Sequence, residues 1–170
     1  SIGSVTLTAV GHTPFASTDV DAPGRVVRLK HTSTWGYAQI TAFTSSTVVT
    51  ALVKRDFGAT GASADWRLGQ WSGPSGWPQV PSFHEGRLWH AANTKSPQTL
   101  WGSESGDFVS HAPSGTDGVV VDSNAVNITI DDDRVNAVRW LSSATQGLLI
   151  GSSGAEVLLR SSSTTTGITP

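Results

Sequence analysis

Short runs in which apolar and polar residues alternate, each closed by turn residues, constrain the fold more than any other feature. Ser4-Val-Thr-Leu-Thr-Ala9, Ala38-Gln-Ile-Thr-Ala42 and Thr47-Val-Val-Thr-Ala-Leu-Val53 alternate with a period of two, and Gly, Pro, Asp or Ser clusters bound them. A period of two puts one face of an extended chain in a core and the other in water. Strong helix formers are rarely strung together. The run Asp131–Leu141 fits two readings. Asp at its start with Val135, Val138 and Leu141 three apart suits a helix, while Val135, Val138, Trp140 and the Gly-rich segment that follows suit strands. The fold class is all-β.

The chain has 170 residues, enough for one ordinary domain or two small ones. Hydrophobic residues make up 37%, and seven Trp and five Phe add the large side chains a core needs. A net charge of −2 with 14% charged residues gives no overall electrostatic footprint for nucleic acid or an anionic membrane. Apolar runs are as short as Gly147–Ile150, so membrane insertion is not expected. No basic stretch followed by an apolar core marks a signal peptide. Cysteine is absent, which excludes disulfides, Cys-ligated zinc and thiol catalysis. Methionine is absent too and the chain starts at Ser1, so the expectation is a piece of a larger protein.

Composition shifts near Gly58-Ala-Thr-Gly-Ala-Ser63, and six of the seven tryptophans follow it. Residues 58–63 are therefore the expected linker. Residues 1–57 would form a small β-barrel or sandwich domain of four or five strands. Residues 64–170 contain an internal repeat. Arg87-Leu-Trp89 with Gln98–Phe108 parallels Val138–Leu141 with Gln146–Val157, and Gly102 superposes on Gly151 at a period of 49 residues. In each copy two apolar strands, a Gly-Ser-rich turn bearing an acid, and a third strand would make a β-meander. Two propeller-blade-like units are expected, with a flexible C-terminal tail at Ser161–Thr166.

The blocks Trp66–Ser72, Gly76-Trp-Pro78, Phe83-His-Glu-Gly-Arg-Leu-Trp89, Pro97–Ser103 and Ser105-Gly-Asp-Phe108 resemble tail tubular or nozzle-type proteins of short-tailed bacteriophages. Val135–Leu141 and Leu148–Glu156 are similar to the next block of such proteins, and Asp19–Leu29 and Ala38–Thr47 to the region before it. The resemblance implies a virion location and a propeller-like body carrying small β-domains. It also implies partners: other copies in a ring, neighbouring tail or portal-adaptor proteins, and DNA passing through the assembled channel.

The polar residues offer several chemistries. His84-Glu85 and His90 suggest a metal, but the spacing of six and Gly86 do not fit His-Glu-x-x-His on a helix. As strand residues both histidines would point to one face, half-exposed beside the Glu85-Gly86 turn, and two ligands do not make a site. Gly102-Ser-Glu-Ser-Gly106 puts Glu104 where a nucleophile elbow needs serine, so the segment reads as a turn with Gly106 at positive φ. The same turn resembles the Asp-box of sialidase-like propellers, and Glu85, Glu104, Asp107 and Asp117 are the carboxylates a glycosidase could draw on. Asp131-Asp-Asp-Arg134 reads as a solvated turn and not a calcium loop, lacking alternation and glycine. Asn127-Ile-Thr129 is a glycosylation triplet by pattern only.

Arg28 and Lys30 share a strand face, which Arg25 does not, and three charges make a weak DNA patch. Trp89 and Trp101 are expected in the core. Trp71 and Trp77, in a Gly-Pro-Ser loop, fit an exposed interface or sugar platform, or a cap at the junction of the two halves. The expected function is a structural part of a phage tail, mediating subunit contacts, not an enzyme and with no catalytic, cofactor or metal residue. A carbohydrate- or receptor-binding module and a glycosidase-like propeller are the alternatives.

Overall fold

The computed structural model describes residues 2–131, 136–161 and 167–170. Among them are twelve strands and a single 3-10 turn, Ser17–Val20, and no α-helix. The strands are β1 (Ser4–Thr8), β2 (Val26–His31), β3 (Thr34–Ser45), β4 (Val48–Arg55), β5 (Trp66–Leu68), β6 (Val80–His84), β7 (Arg87–Ala91), β8 (Thr99–Gly102), β9 (Val126–Thr129), β10 (Val138–Ala144), β11 (Gly147–Ser152) and β12 (Glu156–Leu159). All pairings are antiparallel, so the chain is all-β. Two compact units result: residues 1–76 with 116–118, and residues 77–115 with 119–170.

The first unit is one five-stranded sheet ordered β1-β4-β3-β2-β5. β1 and β5 are its edges, so the barrel or sandwich expected here is replaced by an open sheet. Alternation selects its core face: Val27, Ala38, Ile40, Val49, Ala51 and Val53 are all at most 2% exposed. Phe15, Val20 and Phe57 cover that face. Asp19 locks the covering segment, because its carboxylate accepts the Ala16 N–H at 2.8 Å and faces the Arg25 guanidinium at 3.4 Å. The unit runs past residues 58–63, since Trp66–Leu68 pairs with Leu29–Val27 as the fifth strand.

The second unit holds two meanders, a four-stranded sheet β6-β7-β8-β9 and a three-stranded sheet β10-β11-β12. They share one core: Trp89, Ala91, Leu100 and Val126 from the first sheet, Val138, Leu148 and Ile150 from the second, with Ile168. Each fully buried aliphatic side chain here contributes about 1.5–3 kcal/mol.

The superposed halves of the repeat differ in two ways. After Gly102 the chain does not turn into a third strand. Residues 103–125 form a long loop, and Phe108 lies in it. Gly102 sits beside Trp89 on the core face, whereas Gly151 is in line with Leu149 and Leu158 on the outward face. The helical option for Asp131–Leu141 gives way to β10 from Val138 onward. Residues 132–135 lie outside the described residues, as do residues 162–166 of the expected tail, so the Asp-rich turn and the flexible tail are not described.

Candidate functional site

The richest polar cluster surrounds the β6–β7 hairpin of the second unit. His84 pairs with Arg87, leaving a two-residue turn, Glu85-Gly86, with φ of 49° and 69°. Two successive positive φ values give the tight turn whose twist matches paired strands. Glu85 is the uncommon residue in that conformation, which costs a side chain of this size about 1 kcal/mol. Its carboxylate is tied down by the Ile168 N–H, which donates to Oε2 at 2.9 Å. Glu85 thereby holds the segment whose Ile168 side chain enters the core.

The turn also separates the two histidines. Residues paired across strands share a face, so His84 lies with Arg87 and Trp89 toward the core, while His90 pairs with Pro81 on the other face. The expected common face is wrong because the hairpin places the residues on different strands with odd parity relative to Arg87. His84 is 7% exposed and its Nδ1 lies 2.8 Å from Ser143 Oγ, with Nε2 at 3.7 Å from Glu85 Oε1. His90 stacks near His111, ring centroids 5.4 Å apart. Burial lowers both basicities, and for His111 burial together with the neighbouring His90 charge lowers the pKa to about 4.

Arg87 was not singled out by the sequence, yet it organises the cluster. It is 4% exposed on the core face. Its guanidinium donates to the carbonyls of Ser103 (2.6 Å), Asn124 (2.7 Å) and Asp122 (2.5 Å). One rigid fork thus pins both ends of the 103–125 loop. Burial pulls Arg87 below its ordinary pKa, and the charges of Glu85 and Glu104 oppose that shift.

The other candidates belong to the same stitching. Ser103 Oγ accepts the Leu88 N–H at 3.0 Å and donates to the Glu104 carbonyl at 2.9 Å. Asp107 Oδ1 accepts the N–H groups of Val109 and Ser110, and Gly106 has a φ of 77°. Glu104 Oε1 accepts from Asn124 Nδ2 at 3.2 Å. Asp117 belongs to the first unit, apart from Glu85, Glu104 and Asp107 in the second. A hollow of about 320 Å³ borders Glu85, Arg87, Ser105, Asp122 and Ser123. Among the described residues no group of three His, Cys, Asp or Glu side chains is placed to hold a metal ion. Much of the cluster works as a loop clamp: Arg87, Glu85, Ser103 and Asp107 bond backbone groups, His84 Nδ1 and Glu104 bond side chains, and the buried Nε2 of His84 has no hydrogen-bond partner.

The aromatic candidates divide. Trp89 and Trp101 are 0% and 5% exposed. Trp71 and Trp77 are half-buried, in the first and second unit respectively. Exposed apolar groups lie elsewhere. Phe83 and Phe108 form an edge-to-face pair, centroids 5.1 Å apart, at 61% and 44% exposure. On the outward face of β10–β12, Trp140 and Leu158 are 41% and 37% exposed. Asn127 is exposed on β9, the edge of its sheet. Compared with known proteins, the chain matches no protein-family model and no curated protein.

Proposed function

We propose that the chain is a structural piece of a bacteriophage tail of the tubular or nozzle type, building part of a wall and binding neighbouring subunits through its second unit. The observation that carries this reading is the outward face of the three-stranded sheet. Trp140, Leu149 and Leu158 stand on one side of it, and among the described residues β12 pairs only with β11, as an edge strand. An edge strand with apolar neighbours is a template for another chain. The sequence resemblance supplies the kind of assembly. The engaged polar cluster fits a scaffold better than a reaction centre.

Tail assembly tests the reading. A phage carrying Trp140→Ser and Leu158→Ser in this protein is expected to yield heads without functional tails. Normal tails from a phage lacking residues 77–170 would end the proposal.

A further inference from the structure

The two edges of the first sheet differ in kind. β5 is three residues long, with Arg67 at its centre and Asp65 just before it. β1 lies in a stretch, residues 2–10, that holds no charge and no proline. Its register on β4 is unbroken, so no bulge turns it aside. Among the described residues β1 pairs only with β4. Sheet edges are commonly blunted by shortness, charge, proline or a bulge, and an edge without these devices is a template for another strand.

The pairing with β4 fixes which groups face outward. The Ala9 N–H donates to the Thr47 carbonyl at 2.8 Å, and the Gly3 carbonyl accepts the Val53 N–H at 2.9 Å. Odd-numbered residues thus direct their backbone groups to β4, and Ser4, Thr6 and Thr8 direct theirs to the outer edge. Val5, Leu7 and Ala9 point to the core face but stay half-buried.

About Thr6 the residue types read alike in both directions: Val5 and Leu7, Ser4 and Thr8, Gly3 and Ala9, Ile2 and Val10. A second β1 laid antiparallel on a two-fold axis at Thr6 meets its like at every position. Ser4 then faces Thr8 of the second copy, Thr6 faces Thr6, and Thr8 faces Ser4. All three pairs carry outward backbone groups, so they exchange about six hydrogen bonds. Val5 and Leu7 stand opposite one another and carry the core across the joint. Ile2 and Val10, just past the strand ends and 76% and 88% exposed, come together on the other face. Sliding the second copy by one residue sets outward groups against inward ones. Sliding it by two keeps the bonds but sets Val10 against Ser4, or Ile2 against Thr8.

We propose that β1 joins two copies of this chain edge to edge about that axis, fusing their five-stranded sheets into one. An unrelated strand would make no use of the mirrored order, which singles out a second copy. The joint does not rest on the tail reading, and it lies in the other unit from Trp140 and Leu158.

The chain has no cysteine, so single cysteines report the register. Thr6→Cys puts two Cα atoms about 5.5 Å apart, within disulfide reach. It should oxidise to a covalent dimer, and so should an equal mixture of Ser4→Cys and Thr8→Cys. Ser4→Cys alone, with its two sites about 13 Å apart along the strands, should not. Sedimentation equilibrium of Trp140→Ser with Leu158→Ser, which removes the apolar face of the second unit, should still give twice the 17.8 kDa of the chain. Adding Thr6→Pro removes the two central bonds and should raise the dissociation constant about thirtyfold. The Thr6 N–H points away from β4, so proline is compatible with the strand's place in its own sheet. A monomeric mass for Trp140→Ser with Leu158→Ser overturns the joint and leaves the tail reading standing. Equal disulfide yields from Thr6→Cys and Ser4→Cys overturn it too.

Discussion

The two sheets of the second unit share a motif and use it in opposite ways. In the four-stranded sheet Trp89 lies across from Gly102, and in the three-stranded sheet Trp140 lies across from Gly151. In both, the glycine makes room for the indole. A Cβ on Gly102 would come within 3.1 Å of the Trp89 ring, and one on Gly151 would overlap the Trp140 ring. Trp89 is nevertheless fully buried and Trp140 is 41% exposed. The pair is a local solution to packing a large ring on a strand. Whether the ring becomes core or surface depends on the parity of the strand against the rest of the unit.

The comparison breaks most plainly by truncation. Trp89→Ala should destabilise the unit by about 3–5 kcal/mol, the range for emptying a core aromatic site, whereas Trp140→Ala should cost under about 1 kcal/mol. Urea midpoints of the two variants measure the difference. The arginines follow the same division. Arg87→Met removes the donor from the buried Ser103 and Asn124 carbonyls and from the part-buried Asp122 carbonyl and should cost about 3 kcal/mol, while Arg139→Met, on an exposed site of β10, should stay within about 0.5 kcal/mol.

Acid separates the sheets through His111, which belongs to the loop of the four-stranded sheet; residues 136–161 contain no histidine. Folding lowers the pKa of His111 from 6.5 to about 4, so the unfolded chain binds the proton more tightly. Its contribution is complete above pH 6.5 and is lost as pH falls toward 4. The loss amounts to about 2–3 kcal/mol. Thermal melts of His111→Gln should show a flatter pH dependence in that window. The smallest contrast is Gly102→Ala against Gly151→Ala. The first presses on a ring that cannot yield and should cost about 1–3 kcal/mol. The second should cost less, because Trp140 can swing into water, and its fluorescence should shift to the red.

Much of the fold was legible in the residues. Alternation in Ser4–Ala9, Ala38–Ala42 and Thr47–Val53 marks β1, β3 and β4 because the period of two is local. The partner of β2 was not legible, since Trp66–Leu68 is a short strand far along the chain. The face of His90 was hidden by the turn at Glu85-Gly86, which resets parity. Arg87 had a signal that could have been read: it stands two residues before Trp89, so it shares the buried face and must have buried partners. Of the cations on the outward face of the first sheet, only Arg28 and Lys30 were legible together, because one strand carries both. Arg55 and Arg67 come from two other strands, and a bulge between Tyr37 and Ala38 brings Arg55 into line with Arg28 across Tyr37. The small net charge concealed them.

The central claim is that the outward sheet face bearing Trp140 and Leu158 joins molecules together, while its buried counterpart only builds a core. Sedimentation velocity over a concentration series measures this most directly. The wild-type chain should show a sedimentation coefficient that rises with concentration, and Trp140→Ser with Leu158→Ser should stop that rise at the dimer joined through β1, with an unchanged circular dichroism spectrum. Identical sedimentation of the two proteins, whether both monomeric or both associated, would contradict the account.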